Sequence, residues 1–266
     1  MLRGASAEAR AELASRLGTS GTLEDTATLG DQLLAVAGVL NSEPALRRVL
    51  TDASIEGDAK AGLAGNVFAD KVGDKALDLV KVAVQQRWTS TRDLAGVLEE
   101  LGIQAVVRSA GAQGSRVSDE LFAVAQLIDA NPDLRGALSD PGRSHDDKTG
   151  FLESMLDGKV LPATLRLVTQ AVRSDEPVGR ALESIQHVAA DVQDELLAVV
   201  HTAHPLGTTE ITRLTKALGK AYDATVHLHV VEDPSLIGGL RVEIGDDVID
   251  GSLVSKLDTA RRRIAG

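Results

Sequence analysis

Two groups of side chains in this chain have the types and spacing to do chemistry. The first is Gly245-Asp246-Asp247, set between the alternating run Leu240, Val242, Ile244 and the apolar pair Val248-Ile249. Clustered carboxylates on such a hairpin hold divalent ions in nucleic-acid polymerases. A formal charge of −11 and only 266 residues leave no basic channel for a template, because such a surface repels phosphate backbones. The preferred reading is a turn between two strands, since glycine and aspartate accept positive φ and bond locally to the backbone. The second group is His201, His204, His227 and His229, four of the six histidines. Imidazoles can ligate zinc, and His227 and His229, two residues apart, would share one face of a strand. His201 and His204 straddle a strand end, and no His-Glu-x-x-His spacing is present. The histidines are therefore read as exposed or interface residues, and no metal or cofactor is expected. No Gly-x-Ser-x-Gly elbow occurs, no P-loop lysine follows Gly238-Gly239, and there is no cysteine. With no acid, base and nucleophile set in view, the chain is not expected to be an enzyme.

These residues need a frame. Leu240, Val242 and Ile244 alternate with Arg241 and Glu243, the period of a strand with one buried face. Gly238 and Gly239 mark a bulge or close backbone approach where that strand starts. Ser252 can cap a last helix with Leu253, Leu257, Ala260 and Ile264 on its apolar stripe, and Arg261, Arg262 and Arg263 in its final turn. Upstream, Leu196–Val200 reads as a buried strand, Ile211, Leu214, Leu218 and Tyr222 as a helix, and Thr225–Val231 as a second strand. The order is strand, helix, strand, hairpin, helix, a small α/β or α+β domain.

The preceding residues contain a duplication. Leu33-Leu34-Ala35-Val36-Ala37 matches Leu121-Phe122-Ala123-Val124-Ala125 at an offset of 121 − 33 = 88. Pro44, Leu46, Arg47, Leu50 and Asp52 fall on Pro132, Leu134, Arg135, Leu138 and Asp140, and Asp58 and Lys60 on Asp146 and Lys148. From Asp31 to Val84 about twenty of fifty-four positions are identical, too many for shared helix composition alone. Each copy reads as helical: Leu33, Val36, Ala37 and Leu40 sit at i, i+3, i+4 and i+7, and Leu121, Val124, Ala125 and Ile128 repeat them. Pro44 and Pro132 each stop one helix and begin a short one. Ser144 with Asp147 offers a capping box before Phe151, Leu152 and Met155. Later stripes run through Leu77, Val80, Val84 and Leu94, Val97, Leu98, Leu101, and in the second copy through Leu165, Val168, Val172 and Leu182, Ile185, Val188. They are read as bundle core, with a minority face left as a groove for a partner helix. Trp88 is read as a packing or interface anchor.

The expected fold is therefore mainly α: two duplicated helical-bundle units at 1–113 and 114–192, followed by a small α/β domain at 193–266. Three Phe, one Tyr and one Trp leave Leu, Val and Ala to build the cores. The acidic charge argues against nucleic acid and against direct binding to an anionic membrane. No apolar run reaches the length of a membrane span, and the start shows no signal-peptide core, so the expectation is a soluble intracellular protein.

The stretch Asp233-Pro234-Ser235-Leu236-Ile237-Gly238-Gly239, the strand after it, and Ile249-Asp250-Gly251-Ser252 closely resemble the C-terminal signature of the delta subunit of F-type ATP synthases, the family of the oligomycin-sensitivity-conferring protein. Ala198-Val199-Val200 and Pro205-Leu206 extend the likeness, and Leu134, Leu138, Pro141 and Lys148 are similar to the family's helical domain. The chain carries about one helical repeat more than ordinary members and looks like the enlarged actinobacterial form. This resemblance implies a non-catalytic peripheral-stalk, or stator, subunit, peripheral on the cytoplasmic face of the cell membrane and reaching the membrane only through partners. Its helical part would bind alpha (and beta) subunits of the catalytic head, and its C-terminal domain the b-type stalk subunits. Gly238, Gly239, Val242, Gly245, Asp250, Gly251, Ser252 and Leu257 would carry the signature and partner contacts. The competing class is a free-standing helical module that recognises amphipathic peptides. A metal-dependent hydrolase built on the histidines and Asp246/Asp247 ranks last.

Overall fold

The computed structural model describes residues 2–18, 22–174, 176–236, 238–245 and 247–250. After α1 (Ala5–Leu17), helices α2 (Leu23–Ser42), α3 (Pro44–Thr51), α4 (Gly57–Phe68), α5 (Asp74–Gln85) and α6 (Thr91–Ser109) form the first copy. A short 3-10 turn precedes α7 (Gly114–Ala130), then α8 (Pro132–Ser139), α9 (His145–Leu156), α10 (Pro162–Arg173) and α11 (Val178–Val192). The bounds of α3, α4 and α5 reappear in α8, α9 and α10 displaced by 88 residues. Proline at the first position of α3 and α8 costs no hydrogen bond there and presets the backbone for a helix. Thr22 and Ser90 close capping boxes with Asp25 and Asp93 at the starts of α2 and α6.

The repetition reaches contacts that sequence identity does not carry. In the first copy Gln32 Oε1 accepts the Gly73 N–H at 3.1 Å, just before α5. In the second, the residue 88 positions on is Glu120, whose Oε2 accepts the Leu161 N–H at 2.7 Å and the Thr164 hydroxyl at 2.6 Å, at the start of α10. Both side chains satisfy donors that a helix start leaves open.

Helix α6 serves both copies. Ser6, Ala9, Leu13 and Leu17, the buried face of α1, fall at the same offset on Leu94, Val97, Leu101 and Ala105 of α6, all of them buried. The outward positions differ. Gly102, Ile103 and Gln104 are buried, whereas their counterparts Ala14, Ser15 and Arg16 on α1 are half-buried or exposed. Leu101–Val107 are buried without interruption, as a helix must be when it packs on all sides. Across α6 the two copies are tied by Gln170 to Glu99 at 2.8 Å and by Arg166 to Asp31 of α2 at 3.0 Å. Residues 1–189 cluster as one compact unit.

Crossing α2 and α6 at close range requires two glycines. A Cβ on Gly30 would lie 2.6 Å from Val106 Cγ2 and 2.9 Å from the Gly102 carbonyl oxygen, and one on Gly102 would lie 2.8 Å from Leu34 Cγ. The counterparts in the second copy are Ser118 and Ala190, also small and buried.

The cores follow most of the expected stripes, but Leu165 and Val188 are only half-buried, and α10 buries Leu167 beside Val168 and Val172. Of the apolar residues that follow the Ser144 cap, Phe151 is 44% exposed and Met155 half-buried, while α9 buries Thr149, Leu152 and Leu156. Trp88 packs on the first core and donates its indole N–H to the Ala83 carbonyl at 2.9 Å. Lys60 is only 4% exposed. Burial pushes its ammonium below the ordinary lysine value, partly opposed by Asp52. The unfolded chain then binds that proton more readily, so stability is reduced below the folded pKa and recovers as pH rises from it toward 10.5. Lys60→Met is expected to raise stability at neutral pH by about 1 kcal/mol, read as a higher urea midpoint; a lower midpoint would contradict this account.

The second unit begins at residue 190. It comprises β1 (Glu195–Thr202), α12 (Thr208–Tyr222), β2 (Thr225–Glu232), β3 (Leu240–Ile244) and β4 (Asp247–Asp250). The sheet order is β2-β1-β3-β4, with β1 and β2 parallel and the other pairings antiparallel. A parallel pair needs a crossover, and α12 supplies it. Ala198, Val200, Val226, Val242 and Ile244 form the core with Leu218 of α12. Asp223 ends α12 in the left-handed conformation. Among the described residues no helix is long and apolar enough to cross a membrane.

Candidate partner-binding surface

The hairpin and the loop before it are held by local bonds. Asp233 Oδ1 accepts the Ser235 N–H at 2.9 Å and its hydroxyl at 2.6 Å, and the Asp233 N–H donates to the Thr202 carbonyl at 2.8 Å. The Ser235 hydrogen bonds hold the Asp233 carboxyl below the usual range, with smaller help from His201 and Arg241. Gly238 and Gly239 follow with φ of 152° and 82°. The glycine pair is thus explained by backbone conformation, since a side chain is strained at the second of these angles. Val242 then pairs with Val200 on one side and Ile249 on the other, and is 2% exposed. Gly245 turns the chain at φ 55°, and a Cβ added there would meet nothing within 4 Å, so the angle alone calls for glycine. Asp250 lies opposite Arg241 in the register. Gly251, Ser252, Leu257, the final helix and its arginines lie outside the described residues, as does Asp246. Asp247 accepts the Tyr222 hydroxyl at 3.2 Å, and burial first, then this carboxylate, pushes the phenol pKa up. In the Gly-Asp-Asp turn this carboxylate therefore ties the hairpin to α12.

The two faces of the sheet differ in chemistry. One packs on α12. The other presents Leu197 and Val199 together with His201, His227, His229, Arg241 and Glu243, because alternate residues point to opposite faces. Glu243 lies 2.7 Å from Arg241 and 3.8 Å from His201. Beyond β3, Val248 and Ile249 on the edge strand are 55% and 45% exposed. An apolar run identified this strand in the sequence, but only the register shows that nothing described covers its outer side chains. Exposed apolar side chains at a sheet edge are suited to a partner.

In the helical unit a groove of about 340 Å³ lies where α2, α6 and α10 meet, lined by Leu23, Ala27, Ala110, Leu161, Pro162 and Arg166. It fits a few side chains rather than a whole helix. Leu23, Val49, Leu127 and Phe151 are the other large apolar residues left exposed among those described. Leu23, Val49 and Leu127 were not marked by periodicity, and Phe151 was named only with its apolar neighbours, because periodicity gives an apolar stripe but not what covers it.

Similarity to known proteins places this geometry in a family. Residues 104–264 match the family described as ATP synthase delta (OSCP) subunit. The chain is 50% identical to ATP synthase subunit delta of a Nocardioides species, with 100% of this chain and 98% of that protein aligned. It is 42% identical to the protein of that description from Streptomyces avermitilis, over 98% of each, and 40% identical to that from Streptomyces coelicolor, over 99% and 98%. The family match begins inside α6 and so covers the second copy and the sheet unit, while these relatives also align through the first copy.

Proposed function

The chain belongs to the ATP synthase delta (OSCP) family, and on that premise we propose that it is a non-catalytic subunit of the peripheral stalk of a proton-translocating F-type ATP synthase. It is a stator part. Rotor torque drives nucleotide synthesis only when the catalytic head is held against the membrane sector, and this subunit transmits the holding force through two interfaces. The helical unit binds amphipathic segments of the alpha subunits, next to beta, at the head. The sheet unit, through the hairpin and the residues after it, binds the b-type stalk subunits. The protein is then peripheral on the cytoplasmic face of the cell membrane, attached through protein partners. The working division is into copies at 1–113 and 114–192 and a C-terminal domain at 193–266, with α6 belonging to both copies. The observation that carries the reading is the full-length identity of 50% with an ATP synthase subunit delta.

Affinity capture of the tagged chain from gently solubilised membranes, with mass spectrometry of what co-purifies, tests it. Alpha, beta and b-type subunits are expected; their absence with folded bait would overturn the assignment. Gly239→Val separates the interfaces. Valine at a φ of 82° is strained by about 1–3 kcal/mol, which displaces the start of β3. Recovery of the b-type subunit should fall about tenfold while head subunits and the helical melting transition stay unchanged. Wild-type recovery of the b-type subunit would sink the role given to the paired glycines.

A further inference from the structure

We propose that the outer face of α12, which carries Arg213, Lys216 and Lys220, is a docking surface for an acidic helical segment of a partner protein, one with carboxylates three or four and seven residues apart. The inference does not rest on the stalk assignment, and the surface differs from the helical unit, the hairpin and the residues after it.

Three observations carry it. First, the cations share one stripe. At the helical period Arg213, Lys216 and Lys220 fall within an arc of about 60° and span about 10 Å of axis, and all three are exposed. Leu214, Leu218 and Tyr222, which pack α12 on the sheet, lie on the opposite side. No other described helix carries three lysines or arginines. Second, the stripe is not neutralised from within. Among the described residues none of the three is in an ion pair. Glu210, three residues before Arg213, turns its carboxylate to the Gly207 N–H at 2.8 Å. Lys220 stands in the last turn, where it complements the helix dipole, but Arg213 and Lys216 are too far from that end to gain from it. Third, the residues around the cations are small. Thr209, Thr212 and Ala217 flank them on the exposed side, so a second helix can come close without meeting a bulky side chain.

Charge and spacing decide the class of occupant. The chain carries a formal −11, so a row of three unpaired cations is an exception on its surface and attracts carboxylates. Spacings of three, four and seven residues repeat the helical period, and a helix lying alongside α12 at about 8–10 Å matches them with its own stripe of Glu or Asp. A phosphate polymer or an anionic bilayer fits less well. The acidic remainder of the chain repels both, and the stripe offers no large apolar or aromatic side chain for a bilayer to take up.

The test is amide NMR of the full chain titrated with a helical peptide bearing Glu at every third or fourth position along one face, and with the same peptide carrying Gln instead. Saturable shifts confined to Thr208–Tyr222 are expected with the Glu peptide. Binding should be about tenfold weaker or more with the Gln peptide, and likewise with the protein bearing Arg213→Ala, Lys216→Ala and Lys220→Ala. Alanine is a good helix former, so that variant keeps its fold, which melting curves check. Arg48→Ala, Lys71→Ala and Arg87→Ala together remove as many exposed cations elsewhere and should change nothing. Salt at about 0.5 M should weaken the complex. Absence of saturable shifts, equal binding of the Gln peptide, equal loss in the control protein, a complex indifferent to salt, or tighter binding of phosphatidylglycerol vesicles or duplex DNA than of the Glu peptide would overturn the proposal.

Discussion

Gly30→Val is expected to unfold the helical unit, lowering its stability by about 3 kcal/mol or more. The first atom of the new side chain would stand 2.6 Å from Val106 and 2.9 Å from the Gly102 carbonyl oxygen. The second of these is backbone and cannot rotate away. Relief requires α2 and α6 to separate, and α6 also supports the second copy, so the damage spreads across both. Gly38→Ala, on the same helix, is the control. A Cβ there meets nothing within 4 Å, and alanine in mid-helix is expected to stabilise by about 0.5–1 kcal/mol. Urea unfolding of the two variants checks the contrast. A Gly30→Val protein with a wild-type midpoint would show that the α2–α6 crossing is not the close contact described.

Leu33→Asp and Leu121→Asp substitute matched positions, both 0% exposed. Each buries a carboxylate with no counter-charge designed for it, at a cost of about 3–5 kcal/mol. Equal local costs are expected to have unequal consequences. Leu33 lies in the core cluster that runs from α1 through α6, so its loss removes the helix on which α10 leans. Leu121 lies on α7, and its loss leaves the cluster of α1–α6 with its own packing. Hydrogen exchange should therefore show both copies exposed in Leu33→Asp and mainly α7–α10 exposed in Leu121→Asp. Head binding measured in parallel assigns the docking copy: loss in Leu33→Asp alone places it in the first copy, and loss in both places it in the second or in both. Exchange confined to α1–α5 in Leu33→Asp would contradict the shared role of α6.

Much of this architecture is local in origin and was open to reading in the sequence. Pro44 and Pro132 fixed two helix starts, and the offset of 88 carried the positions of α3, α4 and α5 onto α8, α9 and α10. Alternation at Leu240, Val242 and Ile244 gave β3, and Gly245 gave its turn, because period and positive φ are properties of a few neighbouring residues. The C-terminal signature gave the family. Other features depend on residues far apart in sequence. Glu120 at the start of α10, Arg166 on Asp31, and Gly30 against Gly102 join positions 41, 135 and 72 residues apart, and no periodicity records which distant helix will meet them. Phe151 belongs to an apolar run and yet is exposed, while Ile103 and Gln104 are buried on a side of α6 that a single bundle would leave to solvent. Likewise His227 and His229 could be placed on one strand face, but the Glu195 carboxylate beside His227 came only with the register of β1. The sequence by itself determined which residues could be helix, strand and turn, and which faces were apolar; the tertiary structure alone decided what each face meets, because packing and register join segments whose separation along the chain carries no local signal.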